Sequence, residues 1–159
     1  MTPGDLSRLI LAEAEVRGFT IAVAESLTGG NVLAALTAVP GASIVVRGGV
    51  VAYQNSVKTG ILGVSATELS TNGAVTQTVA GQMARGVAGV CSADIGLSTT
   101  GVAGPGPQGK VPAGTYWVGL WQAGSQRERL QESAGDRATV VQAAVLDALA
   151  FLAEELDLL

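Results

Sequence analysis

Residues 20–30 read TIAVAESLTGG, a short apolar run that stops at an acid and a hydroxyl and closes on two glycines. The first five, TIAVA, have the pattern of a strand buried on both faces. A Glu25-Ser26 turn follows, and a second helix is predicted to begin near Thr28-Gly29-Gly30 and to run through Leu33 and Leu36 to Pro40-Gly41. A buried strand passing directly into a helix is the repeating unit of an open α/β sheet. It places Ser26 at the strand's carboxyl end, where such sheets bind ligands.

Working outward, Thr2-Pro3 reads as an N-cap with proline in the first turn, and Leu6, Leu9, Ile10 and Ala14 recur at helical spacing until Gly18. Downstream, SIVVRGGVVAY (43–53) is β-branched and interrupted by Gly48-Gly49, which predicts one or two strands with a bulge or bend there. A polar loop, Gln54-Asn55-Ser56, leads into a short helix holding Lys58. Short and long helices are expected over 66–71 and 76–90, the latter opened by Thr76. Residues 94–100 predict a strand, 101–113 a Gly/Pro-rich loop, and 114–123 with about 126–133 an antiparallel pair turning at Gly124-Ser125. A last helix after Asp136 aligns Val140, Val141, Ala144, Val145, Ala148, Leu149 and Leu152 on one face. The expected fold is a single domain over 1–159, a three-layer α/β/α sandwich on a mixed, mostly parallel sheet.

Composition narrows the chemistry. The 159 residues are 48% hydrophobic and only 14% charged, enough for a substantial core. Nine Lys plus Arg against thirteen Asp plus Glu give a net charge of −4 with no basic run, which argues against nucleic acid as a partner. Asp5, Arg8, Glu13, Glu15 and Arg17 interrupt the first twenty residues, so no signal peptide is expected there, and no run of eighteen apolar residues spans a membrane. The mean hydropathy of +0.42 comes from Ala and Val spread over many elements. A cytoplasmic protein is expected, and the apolar surplus predicts contacts between copies in a homo-oligomer. Cys91 stands alone, without a histidine to activate it, and reads as a small buried hydrophobe.

The loop GPGPQGKV (104–111) mimics two phosphate-binding motifs: G-x-G-x-x-G at Gly104, Gly106 and Gly109, and a near-Walker ending at Gly109-Lys110. A phosphate loop works through successive backbone N–H groups leading into a helix. Pro105 and Pro107 each remove an N–H, Val111 replaces the magnesium-binding hydroxyl, and a strand follows. The loop is read instead as a stiff wall of a pocket.

The chain contains no histidine, which excludes Ser-His-Asp and Cys-His catalysis and histidine-dependent zinc sites. Proton transfer falls to carboxylates, tyrosine, lysine, or water and substrate. A lysine can deprotonate a serine if burial lowers its pKa. Of the two lysines, Lys58 follows a strand end and Lys110 lies in the Gly/Pro loop. Composition leaves Lys58 open between a base and a solvated lysine, and Ser26 open between a nucleophile and an ordinary helix cap.

Six segments carry a resemblance beyond these local patterns. AESLTGG (24–30), RGGVVAYQNSVKTGILGV (47–64), GAV (73–75), STTGVAGP (98–105), PAGTYWVGL (112–120) and GDR (135–137) resemble, in order, the CinA C-terminal-domain family of nicotinamide-nucleotide amidohydrolases. The resemblance implies hydrolysis of nicotinamide mononucleotide to nicotinate mononucleotide and ammonia, with no cofactor and no metal. It implies Ser26 as nucleophile, Lys58 as general base and Tyr53 as a pocket or proton-relay residue. Thr28, Gly29, Gly30, Asn55, Thr100, Gly101, Gly104 and Arg137 are implied on the substrate side. Backbone N–H groups near Thr28-Gly29-Gly30 are expected to hold either the oxyanion or the ribose phosphate. The family often shows Asn-Glu-Ala-Lys where this chain has Asn55-Ser56-Val57-Lys58, so the lysine is kept and the acid is lost. Larger members carry an additional N-terminal domain, so this sequence reads as the stand-alone form. A non-catalytic nucleotide- or partner-binding module, and an amidase for a different small amide, are the rival readings.

Overall fold

Strand β1, Ile21–Glu25, is buried along its whole length. The computed structural model describes residues 1–159. β1 lies between β2 (Val46–Val51) and β3 (Ile95–Gly101) and pairs in parallel with both. β3 then pairs antiparallel with β4 (Thr115–Gln122), and β4 with β5 (Ser125–Glu132), giving the order β2-β1-β3-β4-β5. Four of the five strands therefore run in one direction, in the mixed, centrally parallel sheet expected.

Side-chain alternation in β1 feeds two cores. Ile21 and Val23 join the larger apolar cluster beneath α1 (Pro3–Arg17), α2 (Asn31–Thr37) and α6 (Arg137–Glu155). Ala22 and Ala24 face the smaller cluster beneath α3 (Asn55–Gly60), α4 (Ala66–Asn72) and α5 (Gln77–Cys91). Helix α5 rests almost on the sheet's backbone. A Cβ at Gly96 would lie 1.9 Å from the carbonyl oxygen of Ala84, and one at Gly119 would lie 2.4 Å from that of Ala80. Only glycine allows so close an approach. Cys91 packs, partly buried, against the smaller cluster, and burial raises its thiol pKa.

Most element ends follow local chemistry. Thr2 caps α1 in a reciprocal capping box with Asp5, and Gly18 closes it in the left-handed region at φ 71°. Thr76 caps α5 and Asp136 caps α6. Two boundaries differ from expectation. Helix α2 stops at Thr37 rather than at Pro40-Gly41, because the residue before a proline is pushed out of helical conformation. Residues 42–44 then form a 3-10 turn, so the 43–53 stretch yields one strand. The expected irregularity is a register shift that sets Ile21 against Val46 but Ala22 against Gly48, bulging Arg47. The hairpin turns on Ala123 and Gly124, one residue early, with φ of 51° and 78°.

Candidate active site

The carboxyl ends of β1, β2 and β3 lie side by side, and a cavity of about 420 Å³ opens over them. That volume suits a small-molecule ligand. Ser26 and Leu27 enter it after β1, Tyr53, Asn55 and Lys58 after β2, and Thr100, Gly101 and the 102–108 loop from β3. Arg137 reaches over from the first residue of α6.

Ser26 is held by its neighbours' backbones. Its N–H donates to Thr99 O at 3.1 Å, and the Ala52 N–H donates to Glu25 O at 2.7 Å, so strand pairing continues through the serine on both sides. The Glu25 side chain, 1% exposed, turns to the opposite core, where its two oxygens accept from the N–H groups of Val32 (2.9 Å) and Leu33 (3.0 Å). A carboxylate is well placed at a helix N-terminus, where N–H groups lack partners. It closes the Ser26–Gly30 turn into a ring anchored at both ends.

Lys58 projects from α3 back toward this turn and is 1% exposed. Its Nζ donates to Ala52 O at 2.7 Å and to Tyr53 O at 3.3 Å, and lies 3.0 Å from Ser26 Oγ. No carboxylate partners it. Burial, which penalises the charged ammonium, lowers its pKa to about 8. A neutral amine has two N–H donors and one lone pair. The two carbonyls match the donors, which leaves the lone pair for the serine hydroxyl.

The mouth is built around Arg137. Its Nη1 donates to Gly104 O at 2.7 Å and its Nη2 to Tyr53 Oη at 2.8 Å, bridging the β2 and β3 loops. Tyr53 thus meets Lys58 through its main-chain carbonyl while its exposed phenol sits at the rim. Thr100 lies on the floor and donates to Ala74 O at 2.8 Å. Gly101 is required by contact, since a Cβ there would meet the Tyr116 side chain at 2.2 Å.

The structure brings Ser26, Tyr53, Lys58, Asn55, Thr100, Gly101, Gly104 and Arg137 to one cavity, but not Thr28, Gly29 or Gly30. Thr28 is buried, with Oγ1 2.7 Å from Thr99 Oγ1. The Gly29 N–H donates to Ser26 O, and Glu25 occupies the first free donors of α2. Glu25 thus takes the Val32 and Leu33 donors, whereas the Thr28 and Gly30 N–H groups have no acceptor in the chain. Sequence reading missed Glu25, although an acid closing a fully apolar strand signals a buried carboxylate in need of donors. It also missed Leu27, whose N–H has no acceptor in the chain, and the carbonyls of Ala52 and Tyr53.

A serine and a buried lysine without a carboxylate partner, at adjoining strand ends, define the class: an α/β protein with a histidine-free Ser/Lys site. The pattern of the CinA C-terminal domain matches residues 4–156. A CinA-like protein from Frankia casuarinae is 44% identical over 144 residues, covering 91% of this chain and 33% of that one. A CinA-like protein from Gemmatimonas aurantiaca is 48% identical over 124 residues, covering 77% and 29%. The crystal structure of competence damage-inducible protein A (ComA) from Klebsiella pneumoniae superposes with a TM-score of 0.96 at 34% identity, covering 99% of this chain and 98% of that one. That of the competence/damage inducible protein CihA from Agrobacterium tumefaciens gives 0.92 at 33% identity, with 98% and 95% covered. The chain belongs to the CinA C-terminal domain family. It spans about a quarter to a third of the length of the curated relatives it matches. No helix is long and apolar enough to cross a membrane.

Proposed function

We propose that this chain hydrolyses nicotinamide mononucleotide to nicotinate mononucleotide and ammonia by acyl transfer through Ser26. The observation that carries the reading is the 3.0 Å approach of the buried Lys58 Nζ to Ser26 Oγ. Nucleophile and base within hydrogen-bond reach, with the base held by further groups, is the arrangement covalent hydrolysis needs.

Neutral Lys58 takes the hydroxyl proton as Ser26 Oγ bonds to the carboxamide carbon, and the carbonyl π pair moves onto oxygen. The Leu27 N–H, free and at the cavity wall, is the donor we place on that oxyanion. The oxyanion collapses and the C–N bond breaks. Lys58 delivers its proton to the departing nitrogen, which leaves as ammonia. Water then attacks the acyl-serine and gives a proton to Lys58. The ester C–O bond breaks, the proton returns to Ser26, and nicotinate mononucleotide leaves. Arg137, Tyr53 and Asn55 frame the sugar at the mouth, and Thr100 and Gly101 form the floor.

The test is ammonia release from nicotinamide mononucleotide by the wild type and by Ser26→Ala. Release that disappears in the variant supports the reading. Binding without release by the wild type would make the domain a nucleotide-binding module. Release only from other pyridine amides would keep the mechanism and change the substrate.

A further inference from the structure

The second lysine stands at a second cavity. Gln108 and Val111 exchange two backbone hydrogen bonds of 3.0 Å each, which turns the chain tightly at Gly109-Lys110. Across from this turn runs Thr71–Val75, and a cavity of about 500 Å³ lies between the two segments. Ala74, Val75 and Gln108 line both this cavity and that of Ser26, so one adjoins the other.

The chain carries a net −4, yet both of these cavities are lined by cations and by no Asp or Glu. The cations around them are Lys58, Arg137 and Lys110. Lys58 is buried against Ser26, and both terminal nitrogens of Arg137 are engaged. Elsewhere Arg8, Arg17, Arg127 and Arg129 are in ion pairs, and Arg47 donates to Cys91 O. Arg85 lines a separate groove beside Glu128. Lys110 makes no hydrogen bond or ion pair through its side chain, and the N–H groups of Gly109 and Lys110 have no acceptor in the chain. At the start of α2, the Val32 and Leu33 N–H groups are already taken by Glu25.

We propose that the Lys110 cavity is an anion lobe that takes the phosphomonoester end of the substrate, with Lys110 as its cation. This rests on the amidase reading of the Ser26 cavity: a mononucleotide with its carboxamide at Ser26 must carry its phosphate beyond the ribose, away from the dyad. The tight turn presents the lysine, and Pro105, Pro107 and Pro112 stiffen its approaches.

Two measurements separate the lobe from the reaction. In the first, KM and kcat are compared for nicotinamide mononucleotide and for nicotinamide riboside, which lacks the phosphate, in the wild type, Lys110→Gln and Lys110→Arg. Lys110→Gln is expected to raise KM for the mononucleotide about tenfold or more, the range of a charge-assisted hydrogen bond, without changing kcat. It should leave the riboside unaffected, and Lys110→Arg should restore most of the loss. In the second, the affinity for ribose 5-phosphate, which carries no amide, is compared with that for ribose. Lys110→Gln should weaken the phosphorylated sugar alone, by a similar factor. Unchanged affinity for ribose 5-phosphate, or equal losses with and without phosphate, overturns the lobe whatever the turnover. A wild type that releases no ammonia but binds ribose 5-phosphate through Lys110 overturns the amidase reading and leaves the lobe standing.

Discussion

On one side of β3 the sheet is parallel, and three neighbouring strands release their chains at the same end. On the other side it is an antiparallel hairpin, whose two strands are joined by a two-residue turn. The parallel side gathers Ser26, Tyr53, Lys58 and Thr100 from points far apart in the sequence. The hairpin side contributes mass and closure. Tyr116, Val118 and Leu120 fill the core beneath α6, the Tyr116 hydroxyl donates to Asp147 at 2.5 Å, and Arg129 lies 4.4 Å above the Phe151 ring while pairing with Glu154. Within one sheet, strand direction separates the two tasks. Parallel strands must be connected by long crossovers, whose starts converge at one edge. The hairpin adds one group to that edge, Arg137, which follows the carboxyl end of β5.

The sharpest way to test this separation is to substitute in each half and read activity and stability together. The largest expected effect is Lys58→Met, which should cut ammonia release by about a thousandfold or more, the scale of removing one member of a catalytic unit, while the protein stays folded. The same variant carries a pH signature. Folding lowers the Lys58 pKa from 10.5 to about 8, so the unfolded chain binds this proton more tightly than the folded one. Between about pH 8 and 10.5 unfolding takes up a proton, and this group's contribution makes the fold more stable as pH rises. Denaturation followed across that window should show the slope in the wild type and lose it in Lys58→Met. In the wild type, kcat/KM should rise with pH through an apparent pKa near 8, as the base form accumulates.

Next in size is Leu149→Ala in α6, fully buried in the larger cluster. It should cost about 3 kcal/mol by denaturant titration, as large-to-small core changes do. At temperatures where the variant is folded, KM and kcat should be those of the wild type. A fall in kcat would mean that the core beneath α6 reaches the dyad. The smallest effect belongs to the seam between packing and chemistry. Glu25→Gln keeps the shape of the side chain but sets an NH2 where an oxygen met a backbone N–H. It should lower kcat about tenfold with KM little changed, since one charge-assisted bond that positions the Ser26 turn is lost. A change in melting temperature alone, with kcat intact, would assign Glu25 to packing only.

What was legible in the sequence follows the range of each interaction. Helix caps at Thr2, Thr76 and Asp136 are settled within four residues and were readable. So was β1, whose apolar run is short and uninterrupted. The end of α2 was misplaced because the restriction at Val39 comes from the proline after it rather than from the apolar spacing before it. Ser26 and Lys58 could be singled out by type and by resemblance, yet 32 residues separate them. Their contact depends on β2 pairing beside β1 and on α3 turning its fourth residue inward. The carbonyls of Ala52 and Tyr53 were invisible for a different reason: every residue has a carbonyl, and only the folded chain shows which ones meet an amine.

The burial of Lys58 in a chain without histidine also simplifies how its chemistry can be observed. Histidine is the side chain whose ordinary pKa falls between pH 5 and 8, and here it contributes nothing to proton exchange in that range. A ligand that perturbs the Lys58 ammonium will take up or release a proton near neutral pH, with no imidazole background to subtract. With a ligand that lacks a titrating phosphate, such as the riboside, calorimetry in buffers of differing ionisation enthalpy can count that proton. The resting charge of Lys58 can be read from a binding experiment, before any bond is broken.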